Sequence, residues 1–404
     1  MTAFANRAVA IVHPAWHSCG TYQVVLGQVA AWKSLGARVT TIAVSDEPGR
    51  KPERAWIWKN YRAHTPELDA TERAFAGPPL HAVIKPHVLR NAVWPYAHGD
   101  QAAIRAGLAS EAEISPLALN GAYDIVHCNH FFTMPVALRL ARGAPILLDS
   151  HDLQARQFHL TAEGKFRLSP RASYESMLAQ ELGWMRKADV LLHLNAEENE
   201  AFCALLPEKR HALLYPAVPP VPTGPGGQEI VLVSSWNRAN VESALWFLRD
   251  VVPLAPGIAV KIYGSVGDGV RAADAALHEK YRAWFMGRVD HIGDIYANAR
   301  LALLPTTSGT GLSIKSVEAM ASGLPLVATS HALRGMNIDP TSLDNVALAD
   351  DAEGFAAALR MLAARPAPDE AQRISSATRR AYDAHFSEAA YRAKLSAIAA
   401  PLLR

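Results

Sequence analysis

Short apolar runs alternate with amphipathic and alanine-rich segments along most of the chain. In the first half the apolar runs predict strands at 8–12, 39–44, 123–128, 145–148, 189–194 and 211–215, separated by helical patterns that include 23–35, 173–186 and 196–205. The second half repeats the alternation, with strands at 229–233, 259–263, 301–304 and 324–328 and helices at 241–248, 313–322, 351–364, 370–385 and from 388 onward. Such alternation is typical of parallel sheets with crossover helices. The sequence therefore predicts an α/β protein with two Rossmann-like domains.

A proline- and glycine-rich stretch separates the two halves. Residues 216–227 read P-A-V-P-P-V-P-T-G-P-G-G, which is typical of a linker rather than a packed element. A length of 404 residues suits two domains. We therefore predict an N-terminal domain at 1–215, a linker at 216–227, a C-terminal domain at 228–386 and a final helix at 387–404.

The region from Pro48 to Pro116 has a less regular pattern. Its aromatic residues are interleaved with basic ones: Trp56, Trp58, Tyr61, Trp94 and Tyr96 with His81, Lys85, His87, Arg90 and His98. Such a mixture suits an insertion that contacts a ligand such as an anionic lipid or a sugar. The alternative is a set of ordinary core aromatics with a solvated basic edge.

Composition and charge restrict the class of protein. The chain is 50% hydrophobic and 19% charged, which is a globular composition. A formal net charge of +2 does not indicate a nucleic-acid partner. Only Cys19, Cys128 and Cys203 are present, so neither a disulfide framework nor a cysteine zinc site is expected. No apolar run reaches the roughly 18 residues of a membrane span. We predict a cytoplasmic protein, with attachment to the inner face of a membrane left open.

The clearest chemical signal is the loop that follows the strand at 301–304. Gly309 and Gly311 flank Thr310 just before a helix begins near Ser313. Glycines permit close backbone approach, and the unpaired amides of a first helical turn favour an anion. Lys315 in that turn is unfavourable beside the helix dipole unless something negative, such as a phosphate, lies opposite. Glu318 follows on the same face and suits ribose hydroxyls. The alternative is an exposed ion pair between Lys315 and Glu318.

Polar residues also follow two strands of the first half. His130 comes after the strand at 123–128, and His151 comes after the strand at 145–148. The carboxyl ends of parallel strands are where such sheets bind ligands, so both histidines are expected at the crevice. Asp152 is expected to cap the next helix, and His127 to pack within the sheet. The same cluster has a metal site as its alternative, but its spacing matches no common metal motif.

The stretch after the glycine loop resembles a known signature. The pattern K-x-x-E-A-M-A-x-G-x-P is typical of retaining glycosyltransferases of the GT-B fold, in particular glycosyltransferase family 4, or group 1. The matching positions are Gly311, Lys315, Glu318, Ala319, Met320, Gly323, Pro325 and Thr329, and 332–335 resembles the turn that follows. One position departs from the pattern. The family often has a carboxylate upstream of Glu318, where this chain has Thr310, or Ser308 if the glycines are aligned.

The resemblance implies a fold and an activity. It implies two Rossmann-like domains that face each other across a cleft, with a C-terminal helix at 391–403 crossing back to the first domain. It also implies a hexosyltransferase that moves a sugar from a nucleoside diphosphate donor to an acceptor hydroxyl with retention of configuration. No bound metal and no cofactor are implied, since the nucleotide sugar is a substrate. The acceptor would be a saccharide or a lipid-linked molecule in polysaccharide or glycolipid biosynthesis, with peripheral membrane contact.

The resemblance also assigns residues. His151 would lie near the donor sugar, Glu318 near the ribose, and the segment after Gly287, with Arg288, near the base. Ser235 stands where the family has an arginine, so Arg238 and Lys315 would hold the diphosphate. Backbone contacts would come from Gly20, Gly309, Thr310, Gly311 and Leu312. His151 and Lys315 are the predicted catalytic residues.

Two other functions fit the same donor site. One is a nucleotide-sugar epimerase or hydrolase, for which reaction without an acceptor would be the sign. The other is a catalytically inactive scaffold protein, which would bind the donor without turnover.

Overall fold

The computed structural model describes residues 3–160, 168–289 and 291–403, without the side chains of the last two residues of its first range. The chain divides into two compact units. The first contains the residues up to Pro216 together with those from Tyr391 onward, and the second contains Ala217–Ala390. The C-terminal residues therefore belong to the first unit, as the predicted GT-B connection requires.

The first unit is built on a single sheet of eight strands. Their bounds are β1 Ala8–Pro14, β2 Arg38–Val44, β3 Glu72–Gly77, β4 Glu113–Ile114, β5 Ile125–Asn129, β6 Ile146–Asp149, β7 Val190–His193 and β8 Arg210–Leu213. The spatial order is β4-β3-β2-β1-β5-β6-β7-β8, and all neighbours are parallel except the antiparallel edge strand β4. The strand order reverses between β1 and β5. This topological switch point is where doubly wound sheets bind ligands.

Helices connect the strands of this first sheet. Their bounds are α1 Gly20–Ser34, α2 Lys51–Ala63, α3 Pro86–Val88, α4 Trp94–Ala97, α5 Gln101–Ser110, α6 Pro116–Leu119, α7 Met134–Ala141, α8 Gln154–Leu160, α9 Tyr174–Met185 and α10 Ala196–Leu205. The central strands are buried on both faces, which explains why they appear in the sequence as continuous apolar runs such as Ala8–Val12.

The second unit repeats this architecture with six parallel strands. They are β9 Glu229–Val233, β10 Lys261–Tyr263, β11 Phe285–Gly287, β12 Ala299–Leu304, β13 Leu326–Ala328 and β14 Val346–Leu348. The order β11-β10-β9-β12-β13-β14 is that of a Rossmann sheet, with its switch point between β9 and β12. The helices are α11 Arg238–Trp246, α12 Val266–Ala273, α13 Ala275–Lys280, α14 Ile292–Ala297, α15 Ile314–Ala321, α16 Ala352–Ala363, α17 Glu370–Ile374, α18 Ala377–His385 and α19 Glu388–Ala399, the last of which ends in the first unit.

The predicted α/β class with two parallel sheets is confirmed. The prediction for the region from Pro48 to Pro116 was incomplete, because β3 and β4 belong to the main sheet and α2 to α6 lie in or border this region. The helix predicted at 370–385 is also two helices. Ser376 interrupts it by accepting a hydrogen bond from the Arg379 amide, and so it acts as the N-cap of α18.

None of the described helices combines the length and the apolar character that crossing a membrane requires.

A buried arginine connects the proline- and glycine-rich stretch to the rest of the second unit. Arg373 of α17 is fully buried and donates to the carbonyls of Ser322 at 2.9 Å, Gly224 at 3.1 Å and Tyr296 at 3.1 Å. Gly323, next to Ser322, has φ +69°, and a Cβ there would lie 2.2 Å from the Arg373 carbonyl oxygen. Only glycine permits this close approach.

We expect Arg373→Met to destabilise the protein by at least about 3 kcal/mol, because it leaves several buried carbonyls without a donor. Equilibrium denaturation of the full chain measures this change. The matched control is Arg380→Met, at an exposed position of α18, for which the expected change is within about 0.5 kcal/mol. Equal effects of the two substitutions would contradict the assignment.

Candidate functional site

The switch point of the second sheet brings two loops together. One follows β9 and leads into α11, and the other follows β12 and leads into α15. Side chains of α11 hold the first part of the β12–α15 loop: the Thr307 amide donates to Ser243 Oγ at 3.1 Å, and Ser308 Oγ donates to Glu242 Oε2 at 3.2 Å. The loop is therefore fixed against α11 before the glycines are reached.

The glycine part of the loop has a backbone shape that other residues rarely adopt. Gly309 has φ +124° and Gly311 has φ +67°. The Gly309 carbonyl accepts from His331 Nε2 at 3.1 Å, and the Thr310 carbonyl accepts from Arg334 Nη2 at 3.3 Å. In a trans peptide the following N–H points away from the carbonyl. The amides of Thr310 and Gly311 therefore point to the opposite side, and no acceptor for them is recorded among the described residues.

Lys315 lies in the first turn of α15 and crosses to the other loop. Its Nζ donates to Asn240 Oδ1 at 2.6 Å, and Asn240 in turn donates through Nδ2 to the Ser235 carbonyl at 2.9 Å. Burial, followed by the charge of Arg334, lowers the pKa of Lys315 to about 8. The predicted alternative, an exposed ion pair between Lys315 and Glu318, is wrong. Lys315 bonds to Asn240 instead, and the pKa of Glu318 is shifted by burial and not by a neighbouring cation.

Glu318 is half-buried one helical turn further along α15. Burial raises the pKa of its carboxyl to about 7. It lies close enough to the buried Tyr296 to affect the pKa of that phenol. Among the residues that the structure describes, no cation forms an ion pair with Glu318, and a partly desolvated carboxyl of this kind suits hydroxyl donors from a ligand.

Arg238 and Arg288, the two arginines predicted for the donor site, are both exposed. Arg238 is the first residue of α11, with a side chain that is 92% exposed and that pairs with Glu242 at 2.9 Å. Arg288 follows β11 in an exposed position. The structure records no contact from either arginine to Lys315 or to the glycine loop within the described ranges. Their roles remain predictions.

Sequence reasoning missed three residues of this corner. Asn240, His331 and Arg334 contact Lys315 or the glycine loop only through the fold, since they lie on α11 and on the turn after β13. The sequence contains a signal for Arg334, because the stretch 332–335 resembles the turn that follows the family motif.

The first unit places two histidines at its own switch point. His130 follows β5 and His151 follows β6, and their rings stack with centroids 4.0 Å apart. Both have a left-handed backbone, with φ +63° and φ +61°. Such strain in non-glycine residues is concentrated at functional sites. Burial lowers the pKa of both imidazoles, and for His130 the effect is strong, so both rings are neutral near pH 7.

A buried amide network fixes the tautomer of His151. Gln28 Nε2 donates to Asp149 Oδ2 at 2.9 Å, which leaves Gln28 Oε1 to accept from Asn129 Nδ2 at 2.8 Å. Asn129 Oδ1 is then an acceptor, and His151 Nε2 lies 2.9 Å from it. His151 therefore carries its proton on Nε2, and its Nδ1 is a hydrogen-bond acceptor.

Gly20 and Asp152 complete the predicted residues of this unit. Gly20 begins α1, and a Cβ there would meet no atom within 4 Å, so the backbone does not require glycine. The neighbouring Thr21 hydroxyl lies 2.9 Å from His130 Nε2. The prediction that Asp152 caps α8 is wrong. Glu181 accepts from the amides of Gln154 and Ala155 instead.

The histidines and acids of this edge were weighed as a metal site. Among the described residues, no group of three or more histidine, cysteine or acidic side chains is arranged to hold a metal ion.

Known proteins resemble this chain in fold and, over part of its length, in sequence. A family model described as glycosyl transferases group 1 matches residues 227–365, which lie within the second unit. Solved structures match the whole chain. Sucrose-phosphate synthase from Thermosynechococcus elongatus has a TM-score of 0.60 at 18% identity, with 98% of this chain and 99% of that one covered. A glycosyltransferase from Rickettsia africae has a TM-score of 0.61 at 14% identity, with coverage of 99% and 100%. HepE from Anabaena, in complex with UDP, has a TM-score of 0.59 at 14% identity, with coverage of 98% and 100%. No curated protein matches the chain.

The two parallel sheets, together with the likeness to these solved structures, show that the protein has the GT-B fold. The family match confirms the resemblance drawn from the motif around Lys315 and Glu318. Residues 227–365 of the second unit therefore match the model of group 1 glycosyltransferases, and the protein is a transferase.

We expect Lys315 to titrate near pH 8, because burial and the neighbouring Arg334 disfavour its charged form. NMR of the protein with 13C-dimethylated lysines measures this value, and the resonance is assigned by its loss in Lys315→Arg. A midpoint near the ordinary lysine value of about 10.4 would contradict the described environment.

Proposed function

We propose that this protein is a retaining glycosyltransferase that moves a sugar from a nucleoside diphosphate to an acceptor hydroxyl. The observation that carries the proposal is the corner at the switch point of the second sheet. There the loop whose Thr310 and Gly311 amides are turned away from His331 and Arg334 leads directly into α15, and Lys315 lies in the first turn of that helix. This is a combination of one cation and several amide donors suited to a diphosphate.

The proposed chemistry follows from the charge that develops on the leaving group. As the bond between C1 of the sugar and the diphosphate oxygen breaks, its electron pair stays on the diphosphate. Lys315, the loop amides and the helix dipole stabilise that charge. The acceptor oxygen forms the new bond to C1 on the same face, and its proton passes to the departing phosphate oxygen. This route uses no protein nucleophile, so it is compatible with Thr310 or Ser308 in place of the family's upstream carboxylate.

Glu318 and His151 have separate roles in this proposal. The Glu318 carboxylate accepts hydrogen bonds from the ribose, and its raised pKa means that it is ionised only above about pH 7. The Nδ1 acceptor of His151 receives a hydroxyl of the donor sugar and orients it. His151 is held in place for this role by its bond to Asn129.

The relatives suggest the first donor to test. HepE was solved with UDP and with UDP-glucose, and sucrose-phosphate synthase is another relative of the same fold. We therefore infer UDP-glucose as the leading donor for this chain and propose a metal-independent hexosyl transfer.

We expect Glu318→Ala to weaken UDP binding about tenfold or more, because charged hydrogen bonds to the ribose are lost. His151→Ala should keep the UDP affinity and abolish turnover of the nucleotide sugar. Calorimetry measures the UDP affinity. Turnover is measured as the release of UDP from UDP-glucose in the presence of saccharide or lipid-linked acceptors.

The matched controls are Glu353→Ala and His385→Ala, at exposed positions of the second unit. Neither should change binding or turnover. If both site variants kept full activity, the site assignment would be overturned. UDP release that needs no acceptor would instead identify a hydrolase.

We further propose peripheral contact with an anionic membrane, through the segment Leu80–Ala97. This segment exposes large apolar side chains, with Ile84 at 69% and Trp94 at 63% exposed, and it carries the exposed cation Arg90. The Leu168 amide donates to the Ala97 carbonyl, which brings another exposed leucine to the same end. Aromatic and aliphatic side chains beside cations are typical of interfacial membrane binding.

We expect the protein to sediment with vesicles of phosphatidylcholine and phosphatidylglycerol and to be released by salt. The double variant Ile84→Glu with Trp94→Glu should lose this binding, because it places two acids at the proposed interface. Ile374→Glu, at an exposed apolar position of the second unit, is the control. Binding that is equal for all three proteins would contradict the membrane proposal.

A further inference from the structure

The turn that follows β13 has no function in the scheme above, yet it contacts the glycine loop twice. This turn runs from Ser330 to Leu333 and leads into Arg334. Its start is fixed by Asp350, which accepts from the Ser330 amide at 2.7 Å and from the Ser330 hydroxyl at 2.8 Å. The turn is therefore held at one end before it reaches the loop.

Two side chains of this turn hold two consecutive carbonyls of the glycine loop. His331 binds the carbonyl of Gly309, and Arg334 binds that of Thr310. Arg334 also donates through Nη1 to the His331 carbonyl at 3.1 Å, so the two side chains belong to one unit. A Cβ on Gly309 would lie 3.0 Å from Arg334 Nη2, which shows how closely the guanidinium packs behind the loop.

These contacts determine the direction of the loop amides. With both carbonyls turned toward the His331–Arg334 pair, the N–H groups of Thr310 and Gly311 point together to the other side. Successive N–H groups that converge in this way form a concave anion site, called a nest. A loop of this composition is flexible by itself, so the nest needs a partner that keeps the carbonyls turned back.

We infer that Arg334 is the positioning residue of the proposed diphosphate site: it holds the glycine loop in its anion-binding shape and adds a second positive charge beside Lys315. This inference rests on the proposed function. The family has an arginine at the position of Ser235, and we assign part of that missing positive charge to Arg334. Arg238, which the sequence suggested instead, is committed to Glu242 on the exposed side of α11.

The charge of Arg334 has an effect that shape alone would not produce. Burial is the main cause of the lowered pKa of Lys315, and the nearby guanidinium lowers that pKa further. Diphosphate binding favours the protonated lysine, so UDP affinity should fall as pH rises through about 8 in the free protein. Removal of the guanidinium charge should move this fall to higher pH.

The experiment measures the binding of UDP, UMP and uridine by calorimetry. The full-length proteins compared are the wild type, Arg334→Gln, Arg334→Lys and Lys315→Met. The pH runs from 6.5 to 9.5 at constant salt, which is about 1.5 units on either side of the lysine midpoint. We expect Arg334→Gln to weaken UDP at least about tenfold, to weaken UMP less and to leave uridine unchanged. The falling limb of UDP affinity should move upward in pH in this variant. Arg334→Lys should keep the limb near its wild-type position with intermediate affinity. Arg380→Gln is the exposed control.

Each outcome decides one point. If the wild type binds UDP and Arg334→Gln binds it equally well with the same pH limb, the inference is overturned and the proposed function stands. An affinity loss that is equal for UDP, UMP and uridine, with an unmoved limb, shows general damage to the fold and also overturns it. If the wild type binds no nucleoside diphosphate while Lys315 titrates near pH 8, the proposed function itself is overturned, and this inference with it.

Discussion

The candidate site of the second unit is built around one partly desolvated ammonium group at the positive end of a helix. Lys315 is unfavourable there for two reasons, since burial removes water from its charge and the dipole of α15 repels it. The bond to Asn240 offsets part of that cost, and Asn240 is itself fixed by Ser235. Arg334 makes the electrostatic conflict larger. Such an arrangement is retained at functional sites, because a bound polyanion removes the conflict.

The first unit also holds buried polar side chains in a fixed arrangement at the switch point of its sheet. Two neutral histidines occupy strained backbone conformations at the ends of neighbouring strands, and a buried network from Gln28 through Asn129 determines which nitrogen of His151 carries the proton. Burial lowers the pKa of both imidazoles and so favours their uncharged forms. Each unit therefore contributes polar groups that are set before any ligand arrives.

The sequence predicted the parts of this architecture that local patterns encode. Buried parallel strands appear as apolar runs, so β1, β2, β9 and β12 were found close to their true bounds. The strands β3, β4, β11 and β14 were missed, since β3 carries Arg73 and the other three are only two or three residues long. Local rules also failed for the start of α8. Asp152 has the expected position for a cap, but Glu181, from a helix further along the chain, takes the amides.

The same distinction explains which site residues were found. Lys315, Glu318 and the glycines lie within one continuous motif, whereas Arg334 reaches the loop from beyond the next strand, and its one sequence signal was the resemblance of 332–335 to the turn that follows the family motif. Arg238 was predicted as a phosphate ligand from its proximity in sequence to Ser235; the structure pairs its side chain with Glu242 on α11, and its role as a ligand remains a prediction. Through Glu242, Arg238 is linked to Ser308, and so it supports the first half of the loop whose second half Arg334 holds. A loop fixed from both ends in this way presents its anion site with backbone amides. Under the proposed function, diphosphate affinity would depend less on any single side chain of the loop, which is compatible with Thr310 or Ser308 at the position where the family often has a carboxylate.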